Sequence, residues 1–442
     1  MQSAIPGIWS DLKAQDPQNF TGDSITVDEC LRYAFKNQPL VRQVKLDEAI
    51  ATQTIRIALS AWLPQISASA NLQDNLKLPV IYLPNFSDLT APKIPVTTGV
   101  KYGSGISFTG TQTLFDREVY IAGRTAGLVH TQASETTKSA LINLVVQISK
   151  AYYDVLLSVE QLNIIIEDMD RLAKTQHDAY VLFKTGASDN IDYQRATISL
   201  NNALASKKGA EEAIRSKLSV LKQLIGYPDS KPLLLKRDHE ALKMEVMLDT
   251  IQKVNYYNRI EYQLLKTNLD LQKSNVLYNR LGFLPSLSVF ADYNINFQND
   301  TFSKLYSKSF PNSTIGATLA IPIFQGTKRL HEIKMAKFQF ERMALDTINL
   351  KNEISSQYVQ AMSVYQSNLT AYRITETNIR TAQDVFNTIK LQYNQGVISY
   401  LDVIVAETDL LSARINNLNA LYMLMFSKLD VEQALGQISI DY

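Results

Sequence analysis

The chain has 442 residues, 45% of them hydrophobic, enough for a large core, yet only 16 glycines and 13 prolines; so few helix breakers imply long uninterrupted helices. Its 44 basic and 43 acidic residues leave a net charge of +1, which excludes the single-sign field of a nucleic-acid binder. Cys30 is alone, and His130, His177, His239 and His331 are far apart, which excludes a disulfide framework and a local metal motif.

In chain order, residues 1–24 read as an N-terminal extension. Met1 to Ala14 lacks a basic-then-apolar leader, which in a secreted chain implies a signal already removed, and no run of 18 apolar residues marks a membrane helix. Cys30 is expected as a packed helix residue. Ile66, Ala68, Ala70 and Leu72 then alternate with polar residues, the pattern of a strand with one apolar face. A partner strand, Ile106 to Phe115, follows a loop rich in proline, asparagine and serine. From about Arg117 to Lys184 no proline interrupts, and one helix of roughly 100 Å is expected. Within it Leu141, Val145, Ile148, Tyr152, Val155, Val159, Leu162, Ile166 and Met169 step by four and three, the seam of a coiled coil. Gly186 breaks this helix and a second one resumes near Ile191, making an antiparallel hairpin.

Tyr227 to Met247, with Pro228, Pro232 and clustered charges, reads as a linker. Beyond it the plan repeats. Leu287, Val289, Ala291, Tyr293, Ile295 and Phe297 alternate as a strand, Ile315 to Phe324 as its partner, and a proline-free stretch then reverses at Gly396. Phe183, Gly186, Asp192, Ala196, Leu200 and Gly226 answer Tyr393, Gly396, Asp402, Ala406, Leu410 and Gly436 at a constant spacing. The chain is therefore two tandem copies, 25–226 and 248–436, joined by the linker 227–247 and followed by a short tail, 437–442. Leu63 and Pro64 answer Leu284 and Pro285 at a longer spacing than Leu114 and Phe115 answer Ile323 and Phe324, so the second copy has the shorter strand connection.

Four strands per chain cannot close a membrane barrel, because bacterial barrels begin at about eight strands and an open edge in lipid leaves backbone groups unpaired. Three chains would supply about twelve. Strands of about ten residues with one apolar and one polar side fit a tilted outer-membrane strand around a wet lumen.

The tandem copies, the leucine and proline before each first strand, the FKTGASDNID and YNQGVISYLD turns and the leucine-rich segments before Gly226 and Gly436 together resemble the outer-membrane efflux protein family, the TolC-like exit ducts. The resemblance runs from Thr26 to Gly436. It implies a mainly helical fold with membrane β-structure: a homotrimeric twelve-stranded barrel in outer-membrane lipid, continued by a helical tunnel in the periplasm. It also implies a passive duct, without cofactor, that meets a periplasmic adaptor and an inner-membrane transporter. The adaptor would contact the hairpin tips at Gly186 and Gly396. Asp402 matches an aspartate of the family's constriction ring, although an aspartate there also suits a helix start through the macrodipole, and both roles stand. A second family aspartate is Val405 here. Tyr393 and Asp192 match a pair that locks the closed entrance; an arginine that reinforces the lock is Ile398 here.

The chain carries no P-loop, HExxH or GxSxG motif, so catalysis is not expected. A trimeric coiled-coil stalk or adhesin is the competing class. It would need neither duplicated strand pairs nor reversal glycines.

Overall fold

A computed structural model describes residues 24–84, 92–186, 188–236 and 239–442. The expected N-terminal extension therefore lies, except for Ser24, outside the described residues. The elements run α1 (Val27–Asn37), α2 (Pro39–Ser60), β1 (Gln65–Asp74), β2 (Val80–Leu83), β3 (Ile94–Thr97), β4 (Tyr102–Phe115), α3 (Arg117–Lys184), α4 (Asn190–Ile225), α5 (His239–Glu245), α6 (Ile260–Leu281), β5 (Ser286–Asn299), β6 (Ser309–Ala320), α7 (Lys328–Asn394) and α8 (Tyr400–Leu435). The chain divides into a helical unit (Met1–Glu48, Ala133–Lys266, Asp346–Tyr442) and a unit that holds the strands (Ala49–Gln132, Thr267–Leu345).

In the helical unit, α1 starts under a capping box. The backbone N–H and hydroxyl of Thr26 donate to the Glu29 carboxylate at 2.7 and 3.0 Å, and the Glu29 N–H donates to Thr26 Oγ1 at 3.3 Å. Cys30 is fully buried on this helix, and burial pushes its thiol up to about 12. It is packed, not reactive. The α3 seam is buried at Leu141, Val145, Ile148, Tyr152 and Val155, and half-buried at Val159, Leu162, Ile166 and Met169. The first part packs on Leu221 and Ile225 of α4 and on Leu421, Leu424 and Met425 of α8 in one core.

The segment read as a linker is part of that core. Leu233, Leu242 and Val246 are buried in it, because two tyrosines on the long helices satisfy its backbone. The Tyr152 hydroxyl lies 3.0 and 3.1 Å from the carbonyls of Ile25 and Lys236; the Tyr365 hydroxyl donates to the Val246 carbonyl at 3.0 Å and accepts the Leu248 N–H at 2.9 Å. Inside a low-dielectric core these pairings replace water for groups that would otherwise be stranded.

α4 and α8 end alike. Gly226 and Gly436 have φ of +71°, and the backbone N–H groups at and after each bond back to the last helical turn, as Tyr227 to Lys222 at 2.8 Å and Gln437 to Glu432 at 2.9 Å. This is a Schellman ending, which needs a left-handed residue.

In the other unit, β1, β4, β5 and β6 form one antiparallel sheet in that order, and β2 pairs with β3 in a separate ribbon. The ribbon fills the longer strand connection of the first copy. The corresponding connection of the second copy holds only a 3₁₀ turn, Phe302–Ser307. β6 departs from the expected bounds: it begins at Ser309 and stops at Ala320. Alternation continues to Ile323 in sequence, but the partner strand β5 begins only at Ser286, opposite Ala320, so no residue of it remains for Ile321 and those beyond it to pair with.

Candidate functional site

Two regions can carry function, the faces of the four-stranded sheet and the tips of the helical hairpins. In the sheet, side chains alternate between faces, so register alone decides what lies together. The rows Ile66–Gly110–Ala291–Ile315, Ala68–Phe108–Tyr293–Ser313 and Ala70–Ile106–Ile295–Pro311 fall on one face, with Leu287 beside Leu319 and Val289 beside Ala317. The rows Ser67–Thr109–Asp292–Thr314 and Ser69–Ser107–Asn294–Asn312 fall on the other, where Asn294 donates to Asn312 at 2.9 Å. One face is thus apolar and the other polar across strands from both copies. Phe290 is a large apolar exception on the polar face, and its ring lies where a side chain at Gly316 would have to stand. The apolar face is uncovered: Ile66 and Ile315 are 80% and 85% exposed. β1 and β6 are the outer strands, each with one row of unpaired backbone groups.

The first hairpin tip turns at Gly186, φ +72°, and the second at Gly396, φ +74°. A Cβ at either would meet nothing within 4 Å, so only backbone conformation requires glycine there. The second tip has the full Schellman pattern, with Val397 N–H donating to the Gln392 carbonyl at 3.0 Å and Gly396 N–H to Tyr393 at 2.9 Å.

Asp402 is exposed in the first turn of α8. Its carboxylate accepts the Ser399 N–H at 3.1 Å and the Ser399 hydroxyl at 2.7 Å. A helix-starting role is therefore in place, and it leaves the second carboxylate oxygen open. Asp192, its counterpart on α4, accepts the Ser188 hydroxyl at 2.8 Å.

Tyr393 packs on Tyr400, ring centroids 5.8 Å apart, beside a small cluster of Ala179, Ala196, Tyr400 and Val403. Burial raises the Tyr393 hydroxyl above its ordinary value, helped by the charges of Asp192 and Asp178. The pair brought together by resemblance thus shares one neighbourhood. Within this chain Asp192 accepts the Ser188 hydroxyl, and Tyr393 senses it through the field.

Tyr400 is a further member of this neighbourhood that sequence reasoning missed. It is 2% exposed, its hydroxyl is buried without a partner, and burial, Glu407, Tyr393 and Asp192 together raise it. The available signal was the repeat itself: Asn190 holds the corresponding place in the first copy. Among the described residues no group of three His, Cys, Asp or Glu could hold a metal ion.

An open sheet with one apolar face, joined in one chain to two long helical hairpins, points to the class: an outer-membrane exit channel. The family profile described as outer membrane efflux protein matches residues 31–227 and 261–437. The chain belongs to that family, and is an outer-membrane efflux channel protein. It is 24% identical over 418 residues to the outer membrane protein TolC of Vibrio cholerae, covering 93% of this chain and 90% of that one. It is 21% identical over 369 residues to the cation efflux system protein CusC of Escherichia coli, covering 80% and 75%. Its fold matches the crystal structure of the Campylobacter jejuni CmeC outer membrane channel with a TM-score of 0.71 at 17% identity, covering 100% of this chain and 94% of that one. The stalk reading is set aside by the family.

Proposed function

We propose that three copies of this chain join their open sheets into one twelve-stranded barrel, whose apolar face meets outer-membrane lipid and whose polar face lines a water-filled passage. The observation that carries this is the register, which gathers the apolar residues of four strands from both copies onto one uncovered face. In lipid the unpaired edges of β1 and β6 need partners, and a neighbouring copy supplies them. The long helices continue the passage into the periplasm, and the two copies, 25–226 and 248–436, each contribute one strand pair and one hairpin to it.

The duct is passive. An inner-membrane transporter supplies the energy, and a periplasmic adaptor docks on the tips around Gly186 and Gly396. Asp402, with its free oxygen, contributes one carboxylate of a constriction ring that favours cations, and the Tyr393 and Asp192 neighbourhood holds the resting entrance. Two measurements test the reading together: native mass in detergent and conductance in a planar bilayer. A trimer that conducts is the expected result. A monomeric species, or a trimer without conductance, refutes it.

A further inference from the structure

The helical unit holds a cavity of about 270 Å³ between α3, α4 and α8. Ile165, Leu172 and Leu411 wall it, Ser199 and Thr408 add hydroxyls, and Asp168 and Glu407 bring carboxylates. Both acids are buried, 3% and 4% exposed. Arg171 Nη2 donates to Asp168 Oδ1 at 2.6 Å, whereas Arg171 Nε lies 3.6 Å from Glu407 Oε1, an ion-pair distance but too long for a hydrogen bond. The other oxygen of Glu407, Oε2, is buried and has no hydrogen-bond partner.

Two carboxylates thus share one guanidinium, Arg414 acts on Asp168 only through the field, and the second oxygen of Glu407 is left without a partner beside the cavity. Burying an unpaired charge is costly, so such a group takes up a proton or a cation. The other charges acting on Glu407 are Lys390 on α7, which favours its ionised form, and Asp168, which opposes it; burial opposes it most. A bare metal ion suits the cavity poorly: a hard dication wants six or more oxygens, and among the described residues no group of three His, Cys, Asp or Glu could hold one. An ammonium needs only one strong acceptor, and an apolar body attached to it would use the aliphatic wall.

We propose that this cavity binds a small organic ammonium, its cationic head on the free oxygen of Glu407 and its apolar body between Ile165, Leu172 and Leu411. The volume is below that of a drug-sized site, roughly 300–1,000 Å³, so the ligand is a short amine of benzylammonium size. Glu407 follows Asp402 by five residues on α8, about 7.5 Å along the axis, so the site is separate from the proposed ring.

Isothermal titration of the full chain in a non-ionic detergent at neutral pH, corrected with protein-free micelles, tests it with benzylammonium as probe. Saturable binding of one probe per chain is expected, at least tenfold tighter than benzyl alcohol, the uncharged isostere. Glu407→Gln weakens binding at least tenfold. Ala203→Leu, which fills the cavity and leaves all three charges in place, does the same, and it decides the matter if the first variant does not fold. Equal binding of benzyl alcohol, undiminished binding by either folded variant, or no saturable binding overturns the proposal. So does binding of Mg²⁺ without binding of the ammonium, which would make this a metal site.

Discussion

A positive charge placed on the apolar face of the sheet tests the proposed lipid contact directly, because depth along β5 would set its cost. The apolar residues of β5 run from Leu287 to Phe297 and centre on Asp292. With that face in lipid as proposed, Ala291 would lie within one residue of the midplane, and Val289 three residues from it. At about 3.3 Å per residue and a tilt near 40°, three residues lower the position by about 8 Å. An arginine costs about 2–4 kcal/mol at mid-bilayer and about 0–1 at the interface. Ala291→Arg should then cost about 2–4 kcal/mol, and Val289→Arg about 1–2 on the same scale. Thr109→Arg sits in the row beside Asp292 on the polar face, gains an opposite charge, and should cost close to nothing. The assay is denaturant-titrated insertion into lipid vesicles, read as the folded fraction, where each 1.4 kcal/mol is about tenfold. Equal costs at all three positions, or a cost for Thr109→Arg as large as for Ala291→Arg, would show that register does not separate lipid from lumen.

Gly436→Ala should lose more stability to urea than Gly396→Ala. Both force a left-handed alanine, about 1–2 kcal/mol, but only at Gly436 would the Cβ meet backbone, at 2.6 Å from the Asn258 carbonyl oxygen, adding about 1–3 kcal/mol of overpacking; equal midpoints for the two refute this. Asp402→Asn keeps an oxygen for the Ser399 N–H and so keeps the helix start, while cation preference, measured as reversal potential in a salt gradient, falls; an unchanged potential removes the ring. Burial, reinforced for Glu407 by the neighbouring Asp168, raises both carboxyls above their ordinary 4.5 and 3.8. Their acid forms therefore favour the folded chain fully below those values, and that gain is lost as pH rises through the raised ones. The apparent melting temperature should fall over that window, and Glu407→Gln should flatten the fall; identical profiles refute it.

Much of the architecture was legible because it rests on one-dimensional signals. The proline-free window gave α3 its observed bounds, Arg117 to Lys184, and the spacing of Gly186 and Gly396 marked both reversals. Alternation found the strands but set the end of β6 too late, since an apolar period says nothing of where the partner strand begins, and β5 starts only at Ser286, opposite Ala320. The ribbon β2–β3 was hidden in a stretch that read as loop, because two four-residue strands with Pro95 in one carry almost no period. Asp168 and Glu407 were not legible at all. They are more than two hundred residues apart on amphipathic helices where an acid is ordinarily a solvated face, and only packing turns both inward. Tyr400 shows only as a departure from the repeat, where the first copy has Asn190.

Duplication explains why the two copies agree in some places and diverge in others. Where each copy closes on itself, the same physical problem recurs. The last carbonyls of α4 and α8 lack helical partners. Gln38 Nε2 donates to the Leu224 carbonyl at 2.7 Å, and Arg259 Nη1 donates to the Ala434 carbonyl at 3.0 Å. Gln38 and Arg259 are counterparts in the repeat, as are Leu224 and Ala434; different side chains supply one hydrogen bond. A glycine follows each helix because Asn37 backbone in one copy and Asn258 backbone in the other occupies the space a side chain would need. At the tips no such closure constrains the chain, and there the copies differ: Ser188 binds Asp192 from four residues away, Ser399 binds Asp402 from three, and Tyr400 stands where the first copy has Asn190. A trimer of this chain would therefore present two kinds of tip in alternation, with the buried aromatic on one kind only.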